Sequence, residues 1–277
     1  SEIVVCQLAD GRELQLLCKY GDGRDHSAHG HRGGTIYEAE VYRQLLQQLP
    51  VSTPTFYGAH RDTITGEIWL ILEYYDKSLR VEDSPDPAVL KAAARWLGRF
   101  HRTNETLRST ASLPFLNRHN AEYYLGWADR TSLFAGHLHQ RFPWLETLCQ
   151  RFEEIVATLL EPPAIVIHGE YYPNNILFCH TAIYPVDWEA AAVAIGEIDL
   201  ASLTEGWPPE FVREANAEYR SARWPEGPPA DFQRRLDAAQ LYWLFRWLGE
   251  QSEWTTEEKS RWRFDQLRTS GERLNLI

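Results

Sequence analysis

Residues 167–178 read IHGEYYPNNILF. An apolar run leads into His168, Gly169 and Glu170. Asn175 follows five residues after that acid, and a second apolar run begins directly behind it. Twelve residues beyond Asn175, in PVDWE, Asp187 closes a third apolar run. The order is strand, acid, amide, strand, acid. A tight turn at His180-Thr181-Ala182 returns the chain, so Asn175 and Asp187 are expected side by side at adjacent strand ends. An amide oxygen beside a carboxylate suits Mg²⁺, which takes one or two oxygen ligands from protein and the rest from phosphates and water. A second acid close by, Glu170, can accept the proton of a hydroxyl group. Metal, base and little covalent work for the protein together describe phosphoryl transfer.

Such chemistry needs a cation on the nucleotide phosphates and a partner to hold that cation. EIVVCQLADGRELQLLCKY reads as a hairpin turning at Asp10-Gly11, a strong signal between apolar runs. In its second strand Leu14, Leu16 and Cys18 share one face, and Gln15, Leu17 and Lys19 the other. Lys19 ends that strand. Glu38 opens the next helix, TIYEAEVYRQLLQQL, on the face of Tyr42 and Leu45, and Glu40 is the competing partner for the lysine. A strand lysine paired with a helix glutamate is the phosphate clamp of kinase-like folds. EIWLILEYY, residues 67–75, reads as a buried strand, and its end offers backbone near Glu73 and Tyr75 to an adenine.

The remaining chain supplies the frame. GDGRDHSAHGHRGG, residues 21–34, reads as a mobile loop; its His26, His29 and His31 are weighed as metal ligands against a solvated loop, and the loop is preferred. The polar stretch DKSLRVEDSPDP marks a lobe boundary, giving residues 1–76 as a nucleotide-binding lobe and 77–277 as a catalytic and acceptor-binding lobe. Asp86-Pro87 starts a helix carrying Leu90, Ala94, Leu97 and His101 on one stripe. Helices dominate from there to about residue 160, short strands fill 164–188, and helices return. The class is α+β, a small β-rich N-terminal lobe before a larger, mainly α lobe.

Composition excludes more than it assigns. The chain has 277 residues, 39 acids against 28 bases and a net charge of −11. With no basic patch in view, this balance argues against nucleic acid as a partner. No run approaches the roughly 20 apolar residues of a membrane span. SEIVVCQLAD lacks the form of a signal peptide. Cys6, Cys18, Cys149 and Cys179 lack metal-ligand spacing and read as reduced residues of a cytoplasmic protein. Nothing fixes the oligomeric state.

HGEYYPNN followed by VDWE resembles the aminoglycoside phosphotransferase and choline-kinase-like family, whose pattern is H-G-D-x-x-x-x-N, an apolar strand and then I-D-W-E or similar. YEAEVYRQL resembles that family's R-E-A-x-x-Y helix, ARWLGRFHR its L-x-x-L-H helix, and GEIDLASL its G-x-x-x-x-D-L-A segment shortened by two residues. The resemblance runs from about residue 3 to 205. It implies a protein-kinase-like two-lobe fold, ATP and Mg²⁺ as cofactors, and a small-molecule hydroxyl as acceptor. It implies Glu170 as base, Asn175 and Asp187 as magnesium ligands, His168 as a structural residue of the catalytic turn, and Asp199 as its brace. Two departures stand out: Glu170 replaces the usual Asp, and only eighteen residues precede Lys19, too few for a first strand and a phosphate-covering loop. The expected activity is ATP-dependent phosphorylation of an amino sugar, aminoglycoside or other cationic alcohol. Alternatives are a Ser/Thr kinase acting on peptides and an inactive kinase-like binding module. Tyr123, Tyr124, Trp127, Asp129, Trp207 and Glu210 are candidates for the acceptor pocket, with core packing as the competing role.

Overall fold

The computed structural model describes residues 1–21, 32–84, 86–105, 113–161, 163–255 and 257–277. His26, His29 and His31 lie outside them.

The N-terminal lobe is an antiparallel sheet in the order β1-β2-β4-β3. Its strands are β1 (Glu2–Gln7), β2 (Glu13–Gly21), β3 (Phe56–Arg61) and β4 (Ile68–Glu73), and helix α1 (Gly34–Gln44) covers one face. The hairpin turns where expected, with Gly11 at φ +84°. β4 is buried on one face only: Ile68, Leu70 and Leu72 are covered, whereas Trp69, Ile71 and Glu73 are half-buried. A single helix on one side of the sheet explains the alternation. Lys19 pairs with Leu70 across the β2–β4 ladder. Residues directly opposite share a face, so Lys19 stands on the side that α1 covers. α1 buries Glu38, Ala39, Val41 and Tyr42 on that side, and a single 3₁₀ turn, Leu46–Gln48, follows it.

The chain then passes into the helical lobe through β5 (Leu79–Arg80) and α2 (Pro87–Glu105). Asp86 caps α2, its carboxylate accepting from the Ala88 N–H at 2.8 Å. β6 (Asn117–Arg118) precedes α3 (Ala121–Phe134), α4 (Trp144–Arg151) and α5 (Glu153–Leu160). Next come β7 (Ile165–Ile167), β8 (Ile176–Cys179), β9 (Ala182–Pro185) and β10 (Ala192–Ala194), and then α6 (Glu197–Thr204), α7 (Pro209–Arg223), α8 (Phe232–Glu250) and α9 (Glu257–Arg273). The strands form two small sheets, β6-β10-β7 and β5-β8-β9. The core runs through α2, α3, α6 and α8; every residue of α6 is buried. α2 and α7 approach closely at Gly98, where a Cβ would meet the Tyr219 carbonyl at 2.6 Å. Among the described residues no helix is long and apolar enough to cross a membrane.

Candidate functional site

The site is assembled at the ends of β7, β8 and β9. The β8–β9 hairpin turns through His180 and Thr181, both at positive φ, as a two-residue turn of the twist-matching kind requires. Its ladder pairs Ile176 with Pro185. One step further, the Val186 N–H donates to the Asn175 carbonyl at 2.9 Å. Asn175 and Asp187 are therefore brought to the same end of one hairpin. Asp187 adopts the left-handed conformation, φ 67° and ψ 62°, a costly backbone state that clusters at functional sites. The Asn175 amide nitrogen donates to the Glu170 carbonyl at 3.2 Å. That fixes the amide's orientation and leaves its oxygen as the acceptor.

The turn between β7 and β8 is fastened from behind. Asp199, on α6, accepts from the His168 and Gly169 N–H groups at 2.7 and 2.9 Å. His101 on α2 also meets Asp199, at 3.2 Å, through Nε2, while its Nδ1 faces the Tyr219 hydroxyl at 3.0 Å. Arg223 donates to that hydroxyl at 2.6 Å. Burial pushes the His101 ring down to about 4, although Asp199 pulls the other way. His168 is turned inward. Its Nε2–H donates to the Val186 carbonyl at 3.0 Å and its Nδ1 accepts from the Glu170 N–H at 3.3 Å. Burial holds this ring below its ordinary value as well, against Asp199 and Asp187. Gly169 sits at φ +82°, and a Cβ there would lie 2.1 Å from the Ala190 carbonyl oxygen. Only glycine passes that point.

The two lobes meet at Lys19. Its ammonium bonds Glu38 at 2.7 Å and Asp187 at 2.5 Å, with Glu189 at 3.9 Å. Glu40, the competing partner, instead accepts from Arg43 and Gln44. Burial alone would lower the Lys19 ammonium; Glu38, then Asp187 and Glu189, overcome it and hold the group above its ordinary value. Glu38 is 1% exposed. Its second oxygen accepts from the Trp188 N–H at 3.1 Å. Burial pushes its carboxyl up, to about 7, against the pull of Lys19.

Glu170 lies on the same side of the site but is not open to the cleft, being 1% exposed. Its Oε1 accepts from both Arg32, at 2.6 Å, and Arg246. Arg32 also faces Glu250 at 3.5 Å and Glu189 at 3.7 Å. These four residues were not found from the sequence. Glu189 stood within VDWE. Arg246 had a readable signal, a lone arginine inside the apolar helix LYWLFRWL, because buried charges must be paired. Glu250 lies one turn further on the same helix. Arg32 was masked by its glycine-rich surroundings.

At the end of β4, Glu73 accepts from the Thr55 N–H and hydroxyl at 3.2 and 2.7 Å and from the Tyr75 hydroxyl at 3.1 Å. The Tyr75 ring rests on Tyr184, centroids 4.4 Å apart. Of the acceptor-pocket candidates, Tyr124 and Trp127 are wholly buried core residues, and Asp129 and Glu210 are exposed. Trp207 does line a cavity of about 490 Å³ bounded by α6, α7, α8 and α9, whose lining also includes Glu205, Trp243 and Arg273.

A sequence model described as the phosphotransferase enzyme family matches residues 24–230. No curated protein sequence matches the chain. Solved structures do. A thermostable mutant of the aminoglycoside phosphotransferase APH(4)-Ia superposes with a TM-score of 0.63 at 11% identity, over 98% of this chain and 94% of that one. The choline kinase LicA from Streptococcus pneumoniae gives 0.62 at 12% identity, over 97% and 89%. The amicoumacin kinase hAmiN, in complex with AMP-PNP, Ca²⁺ and Ami, gives 0.61 at 14%, over 98% and 84%. The fold is the protein-kinase-like fold of these enzymes.

Proposed function

We propose that this chain, which belongs to the phosphotransferase enzyme family, transfers the terminal phosphoryl group of ATP to a hydroxyl of a small molecule. The observation that carries this reading is the convergence on Lys19: one ammonium bonds a helix glutamate of the sheet lobe and the strand-end aspartate of the helical lobe. A cation so fixed suits the α- and β-phosphates. Adenine takes backbone groups near Glu73 and Tyr75, at the join between a lobe of residues 1–76 and one of residues 77–277. Asp187 and Asn175 are the residues to hold Mg²⁺; a carboxylate beside an amide whose nitrogen is already engaged is the right donor set. Magnesium, when bound, supplies charge neutralisation on the phosphates. Glu170 accepts the acceptor's proton, His168 and Asp199 hold the turn, and Arg246 holds Glu170. Solved relatives described as complexes with GDP, or with AMP-PNP and Ca²⁺, support nucleotide and divalent-cation use here.

The acceptor side is bounded by Tyr172 and Trp247, with ring centroids 6.3 Å apart, and by the carboxylate of Glu250. Aromatic faces with acids suit an amino sugar or another cationic alcohol. One observation favours a second reading, the inactive binding module: Glu170 is covered by two arginines. Labelled ATP with Mg²⁺, offered alongside amino alcohols, amino sugars, aminoglycosides and Ser/Thr peptides, separates the readings. Transfer to a small molecule is expected. Transfer to peptides alone means a peptide kinase, and nucleotide binding without any transfer means a module.

A further inference from the structure

Two guanidiniums share one oxygen of Glu170, and they are held very differently. Arg246 is 4% exposed on its side chain. Its guanidinium lies over the Trp243 and Trp127 rings, 4.8 and 5.9 Å from their centroids. It is packed in place. Arg32 comes from the other lobe, just before α1, and is 21% exposed. Its guanidinium faces Glu170, Glu250 and Glu189 at 2.6, 3.5 and 3.7 Å. Glu189 links it to the nucleotide side, because that residue's other oxygen is 3.9 Å from Lys19. The Gly33 N–H, bonded to the Glu189 carbonyl at 2.8 Å, pins the backbone next to it. Arg32 thus fills the gap between the Lys19–Asp187 pair and Glu170.

In-line transfer sets the leaving and attacking oxygens on opposite sides of phosphorus. Under the phosphotransferase reading, on which this inference rests, the transferring group crosses the gap that Arg32 fills. We propose that Arg32 is a catalytic residue whose guanidinium leaves the shared Glu170 oxygen and binds the terminal phosphoryl oxygens of the nucleotide. The planar fork of arginine matches a phosphate bidentately, so one charge-assisted contact is exchanged for a stronger one. Glu170 keeps Arg246, so its buried carboxylate is not left unpaired. The departure opens the oxygen that Arg32 covered to the acceptor's hydroxyl. The phosphorus–oxygen bond to ADP then breaks, the bond to the acceptor oxygen forms, and the acceptor's proton passes to Glu170. Arg32 remains protonated throughout.

Equilibrium binding tests this without relying on turnover. Calorimetry with Mg²⁺ compares ADP and the non-hydrolysable analogue AMP-PNP, or the guanine pair if the protein prefers guanine. The proteins are the parent, Arg32→Ala, Arg32→Gln and Arg32→Lys. Arg32→Ala is expected to weaken the triphosphate analogue about tenfold or more and the diphosphate by about twofold at most, with Lys recovering part. Turnover falls in parallel. If both nucleotides weaken equally, if neither weakens, or if removing Arg32 raises turnover, Arg32 is merely a cover on Glu170 and the proposal fails alone. A parent that binds no nucleotide sinks the phosphotransferase reading together with the proposal. Should the Ala variant not fold, the Gln and Lys variants carry the same comparison.

Discussion

Lys19 answers to carboxylates from both lobes, and its removal separates the charge of the site from its frame. Lys19→Ala should cut turnover by about a hundredfold or more while the protein still melts cooperatively, since one lost cation on the phosphates costs several kcal/mol of transition-state stabilisation. Asp187→Asn should abolish transfer with the fold intact, checked by circular dichroism beside the ATP assay; unchanged turnover would take Asp187 out of the site. Glu170→Gln removes the proton acceptor and should cost about 10²–10⁴ in rate. Glu170→Asp is more discriminating. The longer side chain reaches Arg246 on α8, so the shorter acid should be slower here; a gain over a near-dead parent would mark a decayed enzyme. The meeting of Glu170, Asn175, Asp187, Lys19 and Glu38 was legible because spacing on strands and helices fixes their neighbours, whereas the structural part of His168 came only from the family resemblance. Arg32 and Glu250 were not, because their partners lie more than 100 residues away in sequence and no local period announces them.

Among the elements, the turn between β7 and β8 shows how narrowly the backbone of the candidate site is constrained. Gly169→Ala forces a Cβ against the Ala190 carbonyl in a conformation that side chains avoid. It should cost about 2 kcal/mol or more in denaturant unfolding. The buried, neutral His101 ring gives a pH test. His101 has its folded value lowered to about 4 from 6.5. Its contribution is therefore complete above pH 6.5 and is lost as pH falls from 6.5 toward 4, to a total of about 3 kcal/mol. Glu38, pushed up to about 7, acts with the opposite sign: its contribution is lost as pH rises through 7. Comparing the parent with His101→Gln isolates the histidine. Their stability difference should shrink between pH 6.5 and 4, and a constant difference would refute the assignment. At this scale the hairpins, α1 and α2 were readable from turn residues and apolar stripes. The one-sided burial of β4 was not, because an apolar run does not say how many faces its neighbours cover.

At the scale of the molecule, the two-lobe arrangement followed from where composition and period change. The cavity along α8 did not, since its walls come from four helices whose mutual angles no local pattern encodes. The lobes are joined chiefly along α1. Glu38 reaches the Trp188 N–H, Gly33 the Glu189 carbonyl, and Tyr37 the Ala191 carbonyl. The amides of His168 and Gly169, by contrast, are bonded wholly within the helical lobe. A hydrogen-exchange experiment can hear these two kinds of bond separately. The Trp188 amide trades its proton whenever the lobes part, without any unfolding, whereas His168 and Gly169 must wait for the helical lobe itself to open. Trp188 should exchange faster than its two neighbours in the free protein and slow sharply when nucleotide draws the lobes together. One backbone proton then serves as a clock for the opening and closing of the whole molecule.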